Sequence, residues 1–164
     1  MDVTIKQGKT KDAAKIIWES AQWLIEIGDL FWDLDEIKEE NLVKKSPKEN
    51  FFVAYVDNDP AAAMILDWED PLFWPDVKKN TSGFVHKLSV AKKYKGKGIP
   101  EKLLKHAEKV CLEKGIHTIR LDCDPKRERL CNYYTKNGFI LIEKRIHTLP
   151  DGRSGNVAYF IKSF

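Results

Sequence analysis

With 164 residues, of which 43% are hydrophobic and 32% charged, the chain has the size and balance of a single folded domain with a proper core, not of a disordered protein. A formal net charge of +3 is too small to mark a nucleic-acid binder, and no apolar run approaches the roughly 18 residues of a membrane span. The N-terminus lacks a signal-peptide pattern, and Cys111, Cys123 and Cys131 lack CxxC spacing, which predicts a reducing, cytoplasmic setting without a metal.

In chain order, VTIKQ (3–7) alternates as a first strand. Residues 11–28 repeat Ala14, Ile17, Trp18, Ala21, Leu24 and Ile25 at helical spacing, with Gly28 as the stop. The spacing of Leu34, Ile37 and Leu42 predicts a second, charged helix over 33–45. NFFVAYVD (50–57) and AAAMILDW (61–68) are apolar runs separated by NDP (58–60), a predicted hairpin. Residues 70–83, rich in proline and aromatics, read as a loop. FVHKLSV (84–90) is a strand that would place Phe84, His86, Leu88 and Val90 on one face.

After the strand comes KKYKGKGIPEKLL (92–104), whose second half opens a helix burying Leu103, Ala107, Val110 and Cys111 and stopping at Gly115. HTIRLDC (117–123) is a further strand. Residues 124–138 predict a last helix, with Asp124 as cap, Pro125 in the first turn and Gly138 at the end. FILIEKRIHT and NVAYFIKSF close the chain as a hairpin around LPDGRSG. The order β-α-α-β-β-β-α-β-α-β-β predicts an α/β (α+β) chain forming a single domain over 1–164.

Residues 92–104 concentrate Lys92, Lys93, Lys95 and Lys97 on a glycine turn. They match neither GxxxxGK[ST] nor GxGxxG, because Glu101 stands where a third glycine belongs. A strand, a basic residue, GxG and a helix still make a phosphate seat: glycines turn backbone N–H groups inward, and a helix N-terminus adds roughly half a positive charge. A solvated basic turn is the competing reading of this stretch alone.

The succession HKLSV, KKYKGKG, an amphipathic helix, IRLDC and NYYTKNGF resembles the GNAT superfamily of acyl-CoA-dependent N-acetyltransferases, and LDWEDPLFWP adds likeness to a bacterial branch of it. Its pyrophosphate loop, [QR]-x-x-G-x-[GA], corresponds to Lys93-Tyr94-Lys95-Gly96-Lys97-Gly98, with Lys93 in place of Gln or Arg. Its Y-x-x-x-G-F motif is matched by Tyr134 to Phe139, while Arg127 stands where an Asn is often found.

The resemblance implies a mixed, mostly antiparallel central sheet of about six to seven strands with about four helices on both faces. It implies acetyl-CoA as cosubstrate, bound by Leu88, Ser89, Val90, Lys93, Lys95, Gly96, Lys97, Gly98 and Ile99. Homodimers paired through the late strands occur in the superfamily.

Acetyl transfer to an amine requires loss of the ammonium proton, stabilisation of the carbonyl oxygen and protonation of the leaving thiolate. The resemblance makes Tyr134 the general acid; a packed core tyrosine in the stripe Leu130, Tyr133, Tyr134 is the alternative. His86 is the candidate base, against a satisfied buried histidine, with Glu69 and Asp70 as rivals. Asp122 reads as a structural or site-lining carboxylate. Trp18, Trp23, Trp32, Phe73 and Trp74 are candidates for the walls of the acceptor pocket; with Trp32 and Trp74 there, an apolar or aromatic amine would suit. A small-molecule or peptide amine is the expected acceptor. The alternatives are a non-catalytic acyl-CoA-binding domain and, least favoured by the charge, a nucleic-acid binder.

Overall fold

The computed structural model describes residues 1–28 and 32–164. Among them the elements follow in the predicted order: β1 (Val3–Gln7), α1 (Thr10–Glu26), α2 (Glu39–Lys45), β2 (Phe51–Val56), β3 (Asp59–Asp67), β4 (Gly83–Val90), α3 (Ile99–Glu113), β5 (Thr118–Cys123), α4 (Glu128–Lys136), β6 (Ile140–Thr148) and β7 (Ser154–Ser163). Short 3-10 turns occupy Lys48–Asn50 and Lys92–Tyr94. The strands form one seven-stranded sheet in the order β1-β2-β3-β4-β5-β7-β6. The pairs β1–β2, β2–β3, β5–β7 and β6–β7 are antiparallel and β4–β5 is parallel, as the mostly antiparallel expectation required.

The chain divides into two compact units. The first comprises Met1–Asp67 and Val85–His106, the second Trp68–Phe84 and Ala107–Phe164. In the first, all six residues of β2 and the centre of β3 are buried, as an apolar run covered on both faces demands. The two strands meet at Asp57-Asn58, both with positive φ (49° and 70°), the twist-matched geometry of a two-residue hairpin. Ala13, Ile17 and Ala21 of α1 pack with Ile37, Leu42, Phe51 and Val53 into one core, joined by Trp32 and Leu34. In the second unit Trp74, Phe84 and Tyr159 form a separate cluster, flanked by Phe73, Val77, Val157 and Ile161.

The second helix is shorter than predicted, because Asp33 diverts the chain first. Its carbonyl accepts from Glu36 N and its Oδ1 from Asp35 N, so a turn occupies the segment up to Ile37 and α2 starts only at Glu39. Asp124 behaves the same way: Oδ1 accepts from Lys126 N, making an Asx turn, and the cap position of α4 falls to Arg127. Of the predicted buried face of α3, Leu103, Ala107 and Cys111 are fully buried and Leu104 joins them, while Val110 is half-buried.

Candidate active site

β4 does not keep the predicted alternation. Lys87 has φ +54°, a left-handed residue inside a strand, and Ser89 Oγ donates to the Lys87 carbonyl at 2.9 Å. An extended strand alternates its faces only while φ stays negative, so Phe84 and His86 belong to one register and Leu88 and Val90 to another. A β-branched residue at position 87 would have resisted this backbone; lysine tolerates it better.

His86 lies before this irregularity, half-buried, with Nε2 3.6 Å from Asp67 Oδ2. That separation is longer than a hydrogen bond. Asp67 ends β3 and accepts from Ser46 Oγ at Oδ2 and from Asn50 Nδ2 at Oδ1, both at 2.9 Å. Neither rival base occupies a comparable position. Glu69 is exposed, 3.9 Å from Lys79 Nζ. Asp70 is buried and anchors its own loop, accepting from Phe73 N at Oδ1 and from Trp74 N at its carbonyl.

Beyond β4 the glycine loop enters α3. Gly96 and Gly98 both hold φ +74°, and a Cβ added to either would meet nothing within 4 Å. Their glycine identity therefore serves backbone conformation and leaves the loop open to an incoming group. The first amides of α3 have no partner within the helix. Together these features fit a pyrophosphate. The lysines are less free than a ring of point charges would be. Lys93 Nζ is 2.5 Å from Asp59 Oδ2, which also accepts from Tyr94 Oη at 2.6 Å. The shared carboxylate raises the Lys93 and Tyr94 pKa values, while hydrogen bonds from both lower its own. Lys95 sits over the Trp23 ring, and burial, helped by Lys92, lowers its pKa. Lys97 Nζ lies 5.7 Å from the centre of the Tyr94 ring.

Within the same unit a cavity of about 130 Å³ is lined by Glu19, Trp23, Glu26, Val90, Lys92 and Lys95, among others. Of the aromatic candidates for the acceptor wall, Trp23 lines this cavity. Glu19 and Glu26 were not foreseen, although with Trp23 they form an i, i+4, i+7 stripe on α1 that was readable from spacing.

In the second unit, Tyr134 is buried on α4. Its ring contacts those of Tyr133, Phe139 and Phe160, each at 5.8 Å. Burial pushes the Tyr134 pKa far up, Cys123 adds to this, and the Arg127 charge opposes it. The phenol therefore keeps its proton throughout the neutral range. Cys123 Sγ and Cys131 Sγ are 3.6 Å apart as thiols, and burial raises the Cys123 pKa first, its neighbour second. Trp74 belongs to the second unit's core, edge-on to Tyr159, and its Nε1–H donates to Asp122 Oδ2 at 3.1 Å. Phe73 stacks on His147. Asp122 is thereby a structural acceptor, and the aromatic candidates for the acceptor wall fall into different units.

Among the described residues no group of three or more His, Cys, Asp or Glu side chains could hold a metal ion, and no helix is long and apolar enough to cross a membrane.

The acetyltransferase (GNAT) family model matches residues 13–139. A Bacillus subtilis (strain 168) protein described as the uncharacterized N-acetyltransferase YesJ is 27% identical over 136 residues, covering 76% of this chain and 72% of that protein. The PaiA N-acetyltransferase of Thermoplasma acidophilum, solved in complex with coenzyme A, superposes with a TM-score of 0.75 at 18% identity over the full length of both chains. PH1933 from Pyrococcus horikoshii OT3 gives 0.69 at 24% identity, over 99% of each chain.

Proposed function

The chain belongs to the acetyltransferase (GNAT) family and uses acetyl-CoA as its acyl donor, and we propose that it transfers the acetyl group to a primary amine of a small molecule or peptide by direct attack in a ternary complex. The observation that carries this reading is the loop at Gly96 and Gly98, left-handed at both glycines and open where side chains would stand, at the start of α3. Acetyl-CoA supplies the acyl group as an activated thioester.

In this reading the backbone around Gly96, Gly98 and Ile99 binds the pyrophosphate, and Leu88, Ser89 and Val90 hold the pantetheine arm. Lys92 and Lys97 add positive charge, while Lys93 and Lys95 chiefly brace the loop through Asp59 and Trp23. His86 takes the proton from the acceptor ammonium. Tyr134 keeps its proton on the phenol oxygen for the departing thiolate. Glu19 and Glu26 at the cavity beside Trp23 favour an acceptor carrying positive charge, whereas the core position of Trp74 weakens the case for a purely aromatic one.

The free thiols of Cys111, Cys123 and Cys131 support a reducing, cytoplasmic setting. The exposed apolar side chains of the edge strand β6 support pairing with a second copy. The two units act as one catalytic domain in this reading, and the family match runs through both.

A thermal shift with CoA, followed by thiol release over a panel of amines, tests the proposal. Stabilisation by CoA and turnover with a cationic amine are expected. Stabilisation without turnover on any amine would overturn the choice of acceptor.

A further inference from the structure

Cys123 and Cys131 are eight residues apart in the chain, and in the fold their Sγ atoms are 3.6 Å apart. Cys123 ends β5 and is 3% exposed, whereas Cys131 stands in the first half of α4 and is half-buried. The turn at Asp124 brings them together. Its Oδ1 accepts from Lys126 N and its carbonyl from Arg127 N, so the chain reverses within a few residues and α4 starts beside the strand it has just left. Sulfurs at this separation need close by only about 1.5 Å to reach the length of a disulfide. The thiols are not equivalent. Burial holds the proton on Cys123, Cys131 and Asp122 add to the effect, and Arg127 opposes it; Cys131 is the one that solvent reaches. The third thiol, Cys111, is fully buried, and burial first and Glu108 second push its pKa up to about 11. It is the inert reference.

We propose that Cys131 and Cys123 form a modification site: a hydroperoxide oxidises Cys131, Cys123 resolves it, and the resulting disulfide reversibly lowers turnover by shifting α4 and with it Tyr134. The loss of turnover rests on the reading of Tyr134 as the acid; formation of the bond does not. In the first step the Cys131 sulfur, as its thiolate, attacks one peroxide oxygen. The S–O bond forms, the O–O bond breaks, and the departing oxygen takes the proton that the thiol released, leaving as water or alcohol. In the second step the Cys123 sulfur attacks that of Cys131. The S–S bond forms, the S–O bond breaks, and hydroxide leaves with the Cys123 proton as water. Together the thiols lose two electrons and the peroxide gains them.

Tyr134 follows Cys131 by three residues, one turn along the same face of α4, and its ring sits among those of Tyr133, Phe139 and Phe160. A helix drawn toward β5 carries the phenol with it, and a misplacement of about 1 Å costs a reacting group roughly a hundredfold. In a reducing compartment such a bond is transient, as redox-sensing disulfides are there.

The experiment treats the reduced protein, freed of reductant, with a small excess of hydrogen peroxide. Mass spectrometry should find the chain two hydrogens lighter, with the peptides of Cys123 and Cys131 joined and Cys111 still a thiol. Turnover, read as acetylated amine, should fall roughly ten- to a hundredfold and return with dithiothreitol. Cys131→Ser should keep its turnover through the treatment, and Cys123→Ser should stop at the Cys131 sulfenic acid, trapped with dimedone. Three surviving thiols, or a bond from Cys111 or between two chains instead, overturn the proposal. A Cys123–Cys131 bond without loss of turnover overturns the shift of α4. Tyr134→Phe then decides the acid reading separately, which falls only if that variant also turns over like wild type.

Discussion

The backbone N–H of Phe139 donates to the carbonyl of Tyr134 at 3.0 Å, and the rings of the two residues lie 5.8 Å apart. Gly138 N donates to the Thr135 carbonyl at 3.1 Å with φ +89°. These two bonds and the ring contact are a Schellman C-cap, so the Y-x-x-x-G-F spacing is a helix-stop device that also fixes the backbone under the tyrosine. Gly138→Ala should cost about 1–2 kcal/mol from the left-handed backbone. Lys162, 3.0 Å from the new methyl, would also have to move. A melting temperature lowered by several degrees, seen by calorimetry, is the expected result. No shift would mean that the cap does not hold α4.

Tyr134→Phe separates the two uses of the ring. The aromatic contacts survive and only the hydroxyl is lost, so melting temperature and CoA affinity should stay near wild type. Turnover should fall roughly a hundredfold, within the range for positioned acids. Because burial raises the Tyr134 pKa above the ordinary value near 10, the group is protonated at every working pH. Its loss should therefore lower the whole pH–rate profile without removing an alkaline limb. Unchanged turnover would take Tyr134 out of the mechanism.

Element order, the β2–β3 hairpin and the glycine loop were legible because each depends on local chemistry: apolar period, turn residues, and left-handed backbone where glycine stands. The turn itself sits at Asp57-Asn58 and not at the expected 58–60, because Asp59 and Pro60 pair within β3. Three features were not legible. The left-handed Lys87 has no compositional mark, since lysine neither favours nor forbids it strongly. Asp124 looked like a helix cap, and Asp33 like the first residue of a helix, because an Asx turn and a helix N-terminus draw on the same side chain, and only the downstream backbone decides between them. Asp67 was hidden because its partners Ser46 and Asn50 are 21 and 17 residues away, contacts that appear only once β3 pairs with β2.

Gly98→Ala should act on the cofactor more than on the fold. The new methyl would meet nothing, so only backbone strain of about 1–2 kcal/mol opposes it, and the loop can relieve that strain by shifting its amides. Titration calorimetry with CoA should show affinity lowered about tenfold or more, since 1.4 kcal/mol of binding is one decade. Lys93→Ala, by contrast, removes a side chain already engaged by Asp59, and CoA affinity should change by a few-fold at most. If Lys93→Ala proves the more damaging of the two, the side chain and not the backbone is the main phosphate contact.

β6 is the outermost strand of the sheet and presents Ile140, Ile142 and Ile146 at 69%, 49% and 70% exposure. An edge strand has unpaired backbone groups along one side, and apolar side chains on it add a reason to be covered. A second copy presenting the same strand meets both needs, with isologous pairing as the simplest closure. Light scattering on a sizing column should give twice the chain mass of 19.0 kDa. Ile142→Asp combined with Ile146→Asp should return the protein to the monomer with its CoA-induced stabilisation intact, because neither residue belongs to the loop or to the His86 cluster. A wild-type monomer at concentrations of tens of micromolar would overturn the pairing.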